Sequence, residues 1–169
     1  MRYLHLLLVT VFLSGCAVPP VSTRTYSRPA QVEATRALVI IYRPDHKQGS
    51  ITSPYILIDG KTVVDLPNKS FFPVSVTPGS HVITTKKKYV GQKEWAKPAT
   101  FSFDAGQTYY VRFYPERDAR SSMVFGPTPM VVDDAAYIDH VFTVVPRNIA
   151  EMDLSGLHEA DPIEVTKKK

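Results

Sequence analysis

Cysteine and long apolar runs are scarce in this sequence of 169 residues, and their scarcity excludes several classes of protein. Cys16 is the only cysteine, so neither an intramolecular disulfide nor a cysteine-rich zinc site can form. The apolar run at residues 3–13 is shorter than the roughly 20 residues that a membrane-spanning helix needs. The formal net charge is only +4, which is too mild to argue for nucleic-acid binding. The fold therefore depends on a hydrophobic core.

The N-terminus does contain the pattern of a secretory signal. Arg2 supplies a positive charge, the apolar run follows it, and Ser14-Gly15 supply small residues directly before Cys16. This pattern predicts that residues 1–15 are removed as a signal peptide.

The stretch Leu13-Ser14-Gly15-Cys16 resembles the lipobox of bacterial lipoproteins. The resemblance implies that the Cys16 thiol receives a diacylglyceryl group and that the new amine is acylated, which would hold the protein stably on a membrane. Ala17 stands where an Asp would retain such a lipoprotein in the inner membrane. The resemblance therefore implies the periplasmic face of the outer membrane. The alternative interpretation is that Cys16 is a small buried residue of an ordinary N-terminal segment.

Composition divides the rest of the chain into three segments. Residues 16–35 are rich in Pro, Ser, Thr and Val without an apolar period, which predicts a flexible tether. Residues 36–157 carry the β-branched and aromatic runs of one folded domain. Residues 158–169 end in three lysines and are predicted to be a disordered basic tail.

Strand signals dominate the predicted domain. Residues 37–42 (ALVIIY) form a continuous apolar run, as expected of a central strand that is buried on both faces. Asp59-Gly60 lies between two β-rich halves and predicts a type I′ hairpin, because both central residues of that turn need positive φ.

A second turn is predicted at Pro78-Gly79. Pro presets φ at the second position of a type II turn, and Gly supplies the positive φ that the third position needs. We therefore expect residues 81–88 to return antiparallel to residues 71–76.

Residues 146–154 predict a short C-terminal helix. Pro146 is tolerated in its first turn, Ile149 and Met152 have the i, i+3 spacing of an apolar stripe, and Gly156 stands just past its end. Together with the strand signals, this helix predicts an all-β fold, an antiparallel β-sandwich of about seven to eight strands with a short C-terminal helix.

Four short motifs follow one another along these turns and strands: Ile41-Tyr42-Arg43-Pro44, Ile58-Asp59-Gly60-Lys61, Thr77-Pro78-Gly79-Ser80-His81 and Ala105-Gly106-Gln107-Thr108-Tyr109-Tyr110. Their succession resembles the bacterial lipoprotein family known as domain of unknown function 2846 and, more distantly, PEGA-type domains. The resemblance covers residues 37–154 and implies a compact β-sandwich on a lipid anchor, without an assigned activity. It carries over no functional residue except the lipobox cysteine.

Catalytic motifs are missing from the sequence, which has no Gly-x-Ser-x-Gly elbow, no His-Glu-x-x-His pattern and no phosphate-binding glycine loop. Asp133-Asp134 with Asp139-His140 offer oxygen and imidazole ligands, but strand alternation places Asp139 and His140 on opposite faces. We therefore predict a non-enzymatic protein without a metal or cofactor. His81, which follows the Pro-Gly turn, is predicted to cap a strand.

Aromatic and cationic residues offer a candidate binding surface. Tyr110, Arg112 and Tyr114 share one face of a strand, and with Trp95 they can form an exposed patch that stacks on sugars or anchors a protein. The alternative is that these rings cover the second face of the sandwich. The leading hypothesis is an envelope lipoprotein that binds a protein partner. The second is a peptidoglycan-binding module that uses this patch and the lysines at residues 86–88.

Overall fold

The structure, a computed structural model, describes residues 24–29, 31–46, 53–86, 88, 96–116 and 139–163. The predicted signal peptide, Cys16 and Trp95 lie outside the described residues. Within these ranges the chain forms nine strands and one helix: β1 (Ala37–Arg43), β2 (Tyr55–Ile58), β3 (Lys61–Asp65), β4 (Ser70–Val76), β5 (Gly79–Lys86), β6 (Ala99–Phe103), β7 (Thr108–Glu116), β8 (Asp139–Val145), α1 (Arg147–Leu154) and β9 (His158–Glu159).

The strands form two sheets that pack face to face. The five-stranded sheet has the order β8-β7-β1-β4-β9, and the four-stranded sheet has the order β3-β2-β5-β6. Most neighbours are antiparallel, but β1 pairs with β7 and β4 pairs with β9 in parallel. The predicted fold class is confirmed, with one strand more than expected.

Strand β1 is the centre of the larger sheet, as its apolar sequence predicts. Val39 and Ile41 point into the core between the two sheets, whereas Ile40 and Tyr42 point to the opposite face. All four side chains are at most 1% exposed. A strand that is covered on both faces has no polar side to present, which explains its continuous apolar run.

The Asp59-Gly60 turn joins β2 to β3 as an antiparallel hairpin, as predicted. Asp59 has φ 49° and Gly60 has φ 76°, so both central residues are left-handed. The prediction that residues 81–88 pair with residues 71–76 after the second turn is wrong. Strand β4 pairs with β1, and β5 pairs with β2 and β6 in the other sheet. The segment at Thr77-Pro78 therefore crosses between the sheets, because alternation shows which face a residue takes but not which strand is its neighbour.

Helix α1 covers the outer face of the five-stranded sheet. It begins after Pro146 and is followed by Gly156, whose φ is 81°, as predicted. The predicted apolar stripe is wrong, because Ile149 is 39% exposed and Met152 is 75% exposed. The helix packs instead through Ala150 and Leu154, which have i, i+4 spacing. With the outer face of the five-stranded sheet they form a second core, whose buried members are Ile40, Tyr42, Phe71, Tyr110, Val145, Ala150, Leu154 and Leu157.

Both predicted flexible ends are corrected where the structure describes them. Residues 24–29 of the predicted tether contact the folded domain, where Thr25 forms a bridge with His158 and Tyr26 packs on Phe71. The predicted disordered tail begins with β9, which pairs with β4. It continues to Pro162, which forms an isolated bridge with Val64. Main-chain pairing along sheet edges explains why a segment with few apolar residues is held on the domain.

Candidate functional site

Residues 24–29, here called the N-terminal strap, lie across the outer face of the five-stranded sheet. Thr25 forms an antiparallel bridge with His158 of β9. The Tyr26 ring then meets Phe71 edge to face, with 5.7 Å between the ring centroids. Further on, the strap reaches Glu151 of helix α1 through Arg28. The strap therefore runs from the β9 edge of the sheet to the helix.

Tyr110 lies beneath the strap and does not belong to an exposed patch. Its side chain is only 4% exposed, and its hydroxyl shares a hydrogen bond of 3.3 Å with the Tyr26 hydroxyl. Burial and this hydrogen bond raise the pKa of Tyr26. The expectation of an exposed Tyr110 is corrected, because helix α1 and the strap cover the face on which it lies. The alternative interpretation, that the ring covers the second face of the sandwich, describes its position.

Arg112 and Tyr114 are both half-buried, and the structure brings them together. The Arg112 guanidinium stacks over the Tyr114 ring, 4.5 Å from its centroid. Its Nη1 also lies 3.4 Å from Oδ2 of Asp153, to which the Tyr42 hydroxyl donates a hydrogen bond of 2.8 Å. Burial and that hydrogen bond raise the pKa of Tyr42. Arg112 is therefore bound to helix α1 through Asp153, and Tyr114 is covered on one face by Arg112.

A groove of about 440 Å³ opens where the strap, β7, β8 and helix α1 meet. Strand β7 begins at this end, β8 ends here, and only Pro146 separates β8 from α1. The groove is a surface that four separate parts of the chain build together. The side chains that line the groove include those of Arg28, Gln107, Tyr109, Val144, Pro146 and Arg147.

Two arginines give the groove a positive rim. Arg28 donates to Glu151 through Nε and Nη2 at 2.8 and 2.7 Å, and Arg147 donates to the same carboxylate through Nε at 2.9 Å. These hydrogen bonds lower the pKa of Glu151 to about 2. One carboxylate neutralises one of two guanidiniums, so the group keeps a net positive charge beside the groove.

The apolar part of the groove is formed by an edge strand. Strand β8 is the end of the five-stranded sheet, and its Val144 is 42% exposed. Among the described residues, β8 pairs with β7 and otherwise forms one isolated β-bridge, between His140 and Ala96. The groove thus combines an apolar side chain, a strand edge and two cations, which are groups that can contact a ligand.

The predicted candidates for other chemistry are structural where they are described. His140 is buried and stacks on Phe113 with 4.9 Å between the ring centroids. His81 is buried in β5 and contacts Asp59 and Thr77. Asp133 and Asp134 lie outside the described residues. Among the residues that the structure describes, no group of three or more His, Cys, Asp or Glu side chains is placed to hold a metal ion, and no helix has the length and apolar character that a membrane crossing requires.

The groove was not predicted from the sequence because no local pattern indicates it. Its residues come from positions as far apart as Arg28 and Arg147, and they are distributed over the strap, β7, β8 and helix α1. The sequence offers only an indirect signal for this site. Pro146-Arg147 directly follows an apolar run, which places a cation at the end of a predicted strand.

Comparison with known proteins identifies a family. A family model described as "Protein of unknown function (DUF2846)" matches residues 33–128, which is more than half of the chain. The search of curated proteins and the search of solved structures find no match. The matched range includes the strand β1 at the centre of the fold and the β7 side of the groove.

Proposed function

Because this chain belongs to the DUF2846 family, whose function is unknown, we propose its function from its own residues: it is a lipid-anchored, non-enzymatic protein of the bacterial cell envelope that binds a protein partner. The groove at the end of β8 is the observation that carries partner binding. It offers an exposed apolar side chain, Val144, beside the guanidiniums of Arg28 and Arg147. A protein surface with apolar and acidic side chains is complementary to it.

The anchor is proposed from Leu13-Ser14-Gly15-Cys16, with Cys16 as the lipidated residue on the periplasmic face of the outer membrane. Arg24 follows Cys16 by eight positions and is the first residue described on the domain. Eight residues span at most about 29 Å. The anchor would therefore keep the domain close to the membrane.

The path of the strap supports a groove that faces away from that membrane. Glu159 donates its backbone N–H to the Arg24 carbonyl at 2.8 Å and pairs with Phe71, beside the Arg43 end of β1. The groove residue Thr108 pairs instead with Leu38 at the start of β1. A strand of this length spans about 20 Å, so the tether and the groove lie at opposite ends of the sheet.

The anchor is tested with Cys16→Ser in the full-length protein expressed in bacteria. We expect the wild type to incorporate radiolabelled palmitate and to sediment with membranes. The variant is expected to lose the label and to keep its signal peptide, because the acylated thiol is the substrate for cleavage in lipoproteins. Retained labelling and membrane association would contradict lipidation at Cys16.

Partner binding is tested by crosslinking in intact cells followed by affinity purification of the protein. Wild type should recover one recurrent envelope protein, and Val144→Arg should lose it because charge enters the apolar part of the groove. Val82→Arg is the matched control, since Val82 is 39% exposed on the other sheet. If the partner is lost in Val82→Arg and kept in Val144→Arg, it binds the other sheet and not the groove. If wild type recovers no recurrent partner, the proposal is refuted.

Peptidoglycan binding is the second candidate, and the half-buried Arg112–Tyr114 stack is the observation that favours it. It has less support than the groove, because one face of Tyr114 is already covered by Arg112 and Tyr110 is buried. Cosedimentation with purified sacculi tests it. Tyr114→Ala should reduce the bound fraction if the stack binds glycan, and an unchanged fraction removes this candidate.

A further inference from the structure

The four sheet edges in the described residues are protected to different degrees. Exposed edge strands can pair with other chains, and proteins usually block them with charges, proline, short length or a covering segment. Strand β9 has two residues and is covered by Thr25, and β3 carries Lys61 and Asp65 at its ends and meets Pro162. Strand β6 has five residues and follows Pro98 directly.

Within the part of the chain that the structure describes, strand β8 lacks these protections over most of its length. Residues 141–145 read VFTVV, with no charged residue and no proline. The bridge from Ala96 to His140 shows that this edge accepts a neighbouring backbone at its beginning. Beyond that bridge, the described residues place no further strand beside residues 141–145.

A cation stands at the end of this same edge. Arg147 follows β8 by two residues and is held by Glu151 through its Nε atom alone. Among the described residues, the two terminal nitrogens of its guanidinium have no hydrogen-bond partner. That pair of nitrogens matches the two oxygens of a carboxylate. Because Glu151 already holds the guanidinium at Nε, less side-chain entropy is lost on binding than for an arginine without this contact.

We propose that an extended segment of the partner adds to the β8 edge as a further strand and that an acidic side chain of this segment binds the guanidinium of Arg147. This inference rests on the proposed partner binding and specifies its geometry. Backbone hydrogen bonds to residues 141–145 supply affinity, and Val144 and Arg147 select an apolar and an acidic side chain.

The test uses the purified full-length protein and a fluorescent, C-terminally amidated peptide of alternating threonine and valine that ends in glutamate. Hydrogen exchange is measured with and without peptide, and affinity is measured by fluorescence anisotropy. We expect the peptide to protect the amides of residues 141–145 and to leave those of β3 and β6 unchanged. A peptide with proline in place of the central threonine should not bind, because it cannot complete the backbone pairing.

Arg147→Ala should weaken binding of the glutamate peptide at least tenfold, the range expected for a charge-assisted hydrogen bond. It should leave a matched peptide ending in glutamine almost unaffected. Equal binding of the proline peptide, protection at another edge or an unchanged affinity in Arg147→Ala would overturn the proposal. Amides at residues 141–145 that are already protected in the free protein would also overturn it, since another part of the chain would then occupy the edge.

The outcome is separable from that of the crosslinking experiment. A recovered partner together with no protection of β8 would refute strand addition and leave partner binding in place. Failure to recover any partner from cells would refute the proposed function, whatever the peptide does.

Discussion

The His81 imidazole is clamped to Asp59, with its Nδ1 atom 2.6 Å from Oδ2 of the carboxylate. On the other side of the ring, Nε2 lies 2.7 Å from the Thr77 carbonyl oxygen. A carbonyl and a carboxylate can only accept, so both contacts are hydrogen bonds only when both ring nitrogens carry a proton. The clamp therefore fits the imidazolium form of His81 and connects the β2–β3 turn, the crossover after β4, and β5.

Stability should fall as the pH rises through the pKa of His81. Burial alone lowers this pKa, but the hydrogen bonds to Asp59 and Thr77 outweigh it, and the pKa is raised above its ordinary value. The folded protein therefore binds this proton more tightly than the unfolded chain does. The stabilisation is complete below the unfolded pKa of about 6.5 and is lost as the pH rises through the folded-state value. Urea unfolding at about pH 6 and about pH 8.5 measures the expected decline.

Asp59→Asn is the matched variant for this prediction. Asparagine tolerates the positive φ of the turn and keeps an oxygen that can accept the Val82 N–H, but it lacks the charge that favours the imidazolium. The decline in stability between the two pH values should be smaller in this variant. An equal decline in wild type and variant would show that His81 is not its source.

The turn itself predicts a second effect. Gly60 has φ 76°, where a Cβ atom is unfavourable even though no atom beyond the two neighbouring residues in the chain lies within 4 Å of its ideal position. Gly60→Ala should lower the free energy of unfolding by about 1–2 kcal/mol through backbone strain alone. Gly60→Asn should cost less, because asparagine adopts the left-handed region more readily. Urea unfolding compares the three proteins, and equal stabilities would refute the strain argument.

How far the sequence predicts this fold can be judged from individual residues. The run at residues 37–42 identifies the central strand because a strand covered on both faces has to be apolar throughout. Asp59-Gly60 identifies a hairpin because few residues tolerate positive φ at both turn positions. These features depend on neighbouring residues, so a single sequence is enough to predict them.

Other features depend on contacts between distant segments. The alternation along β4 and β5 fits either pairing, and only the shared core between the sheets decides that β4 lies beside β1. The burial of Tyr110 requires the strap and helix α1, which approach it from opposite ends of the chain. Arg28 and Arg147 meet at Glu151 for the same reason. The groove therefore could not be predicted from any local pattern.

The strap should contribute measurably to stability through Tyr26. Tyr26→Ala removes the edge-to-face contact with Phe71 and uncovers apolar surface of the second core. Because the ring is only partly buried, we expect a loss of about 1–2 kcal/mol in the free energy of unfolding. Tyr26→Phe keeps the ring and loses only the hydroxyl, so it should cost less than about 1 kcal/mol.

Limited proteolysis with trypsin provides an independent measurement of strap docking. Arg24 and Arg28 are exposed at the side chain but are held by backbone pairing and by Glu151. In Tyr26→Ala, cleavage after Arg24 should become faster while cleavage inside the sandwich stays slow. The Arg28–Pro29 bond does not contribute, because trypsin does not cleave before proline. Equal cleavage rates in wild type, Tyr26→Phe and Tyr26→Ala would show that the Tyr26 ring does not hold the strap.

Truncation to alanine should lower the free energy of unfolding much more on the buried face of helix α1 than on its exposed face. Leu154 is fully buried in the second core, so Leu154→Ala leaves a cavity and should cost about 2–5 kcal/mol. Met152 is 75% exposed, and Met152→Ala should change the free energy of unfolding by no more than about 0.5 kcal/mol. Both changes end in alanine, which favours the helix, so helix propensity cannot produce this difference. Urea unfolding of the two variants at one pH tests it. A Met152→Ala loss as large as that of Leu154→Ala would mean that the helix packs through the stripe that its sequence spacing indicates.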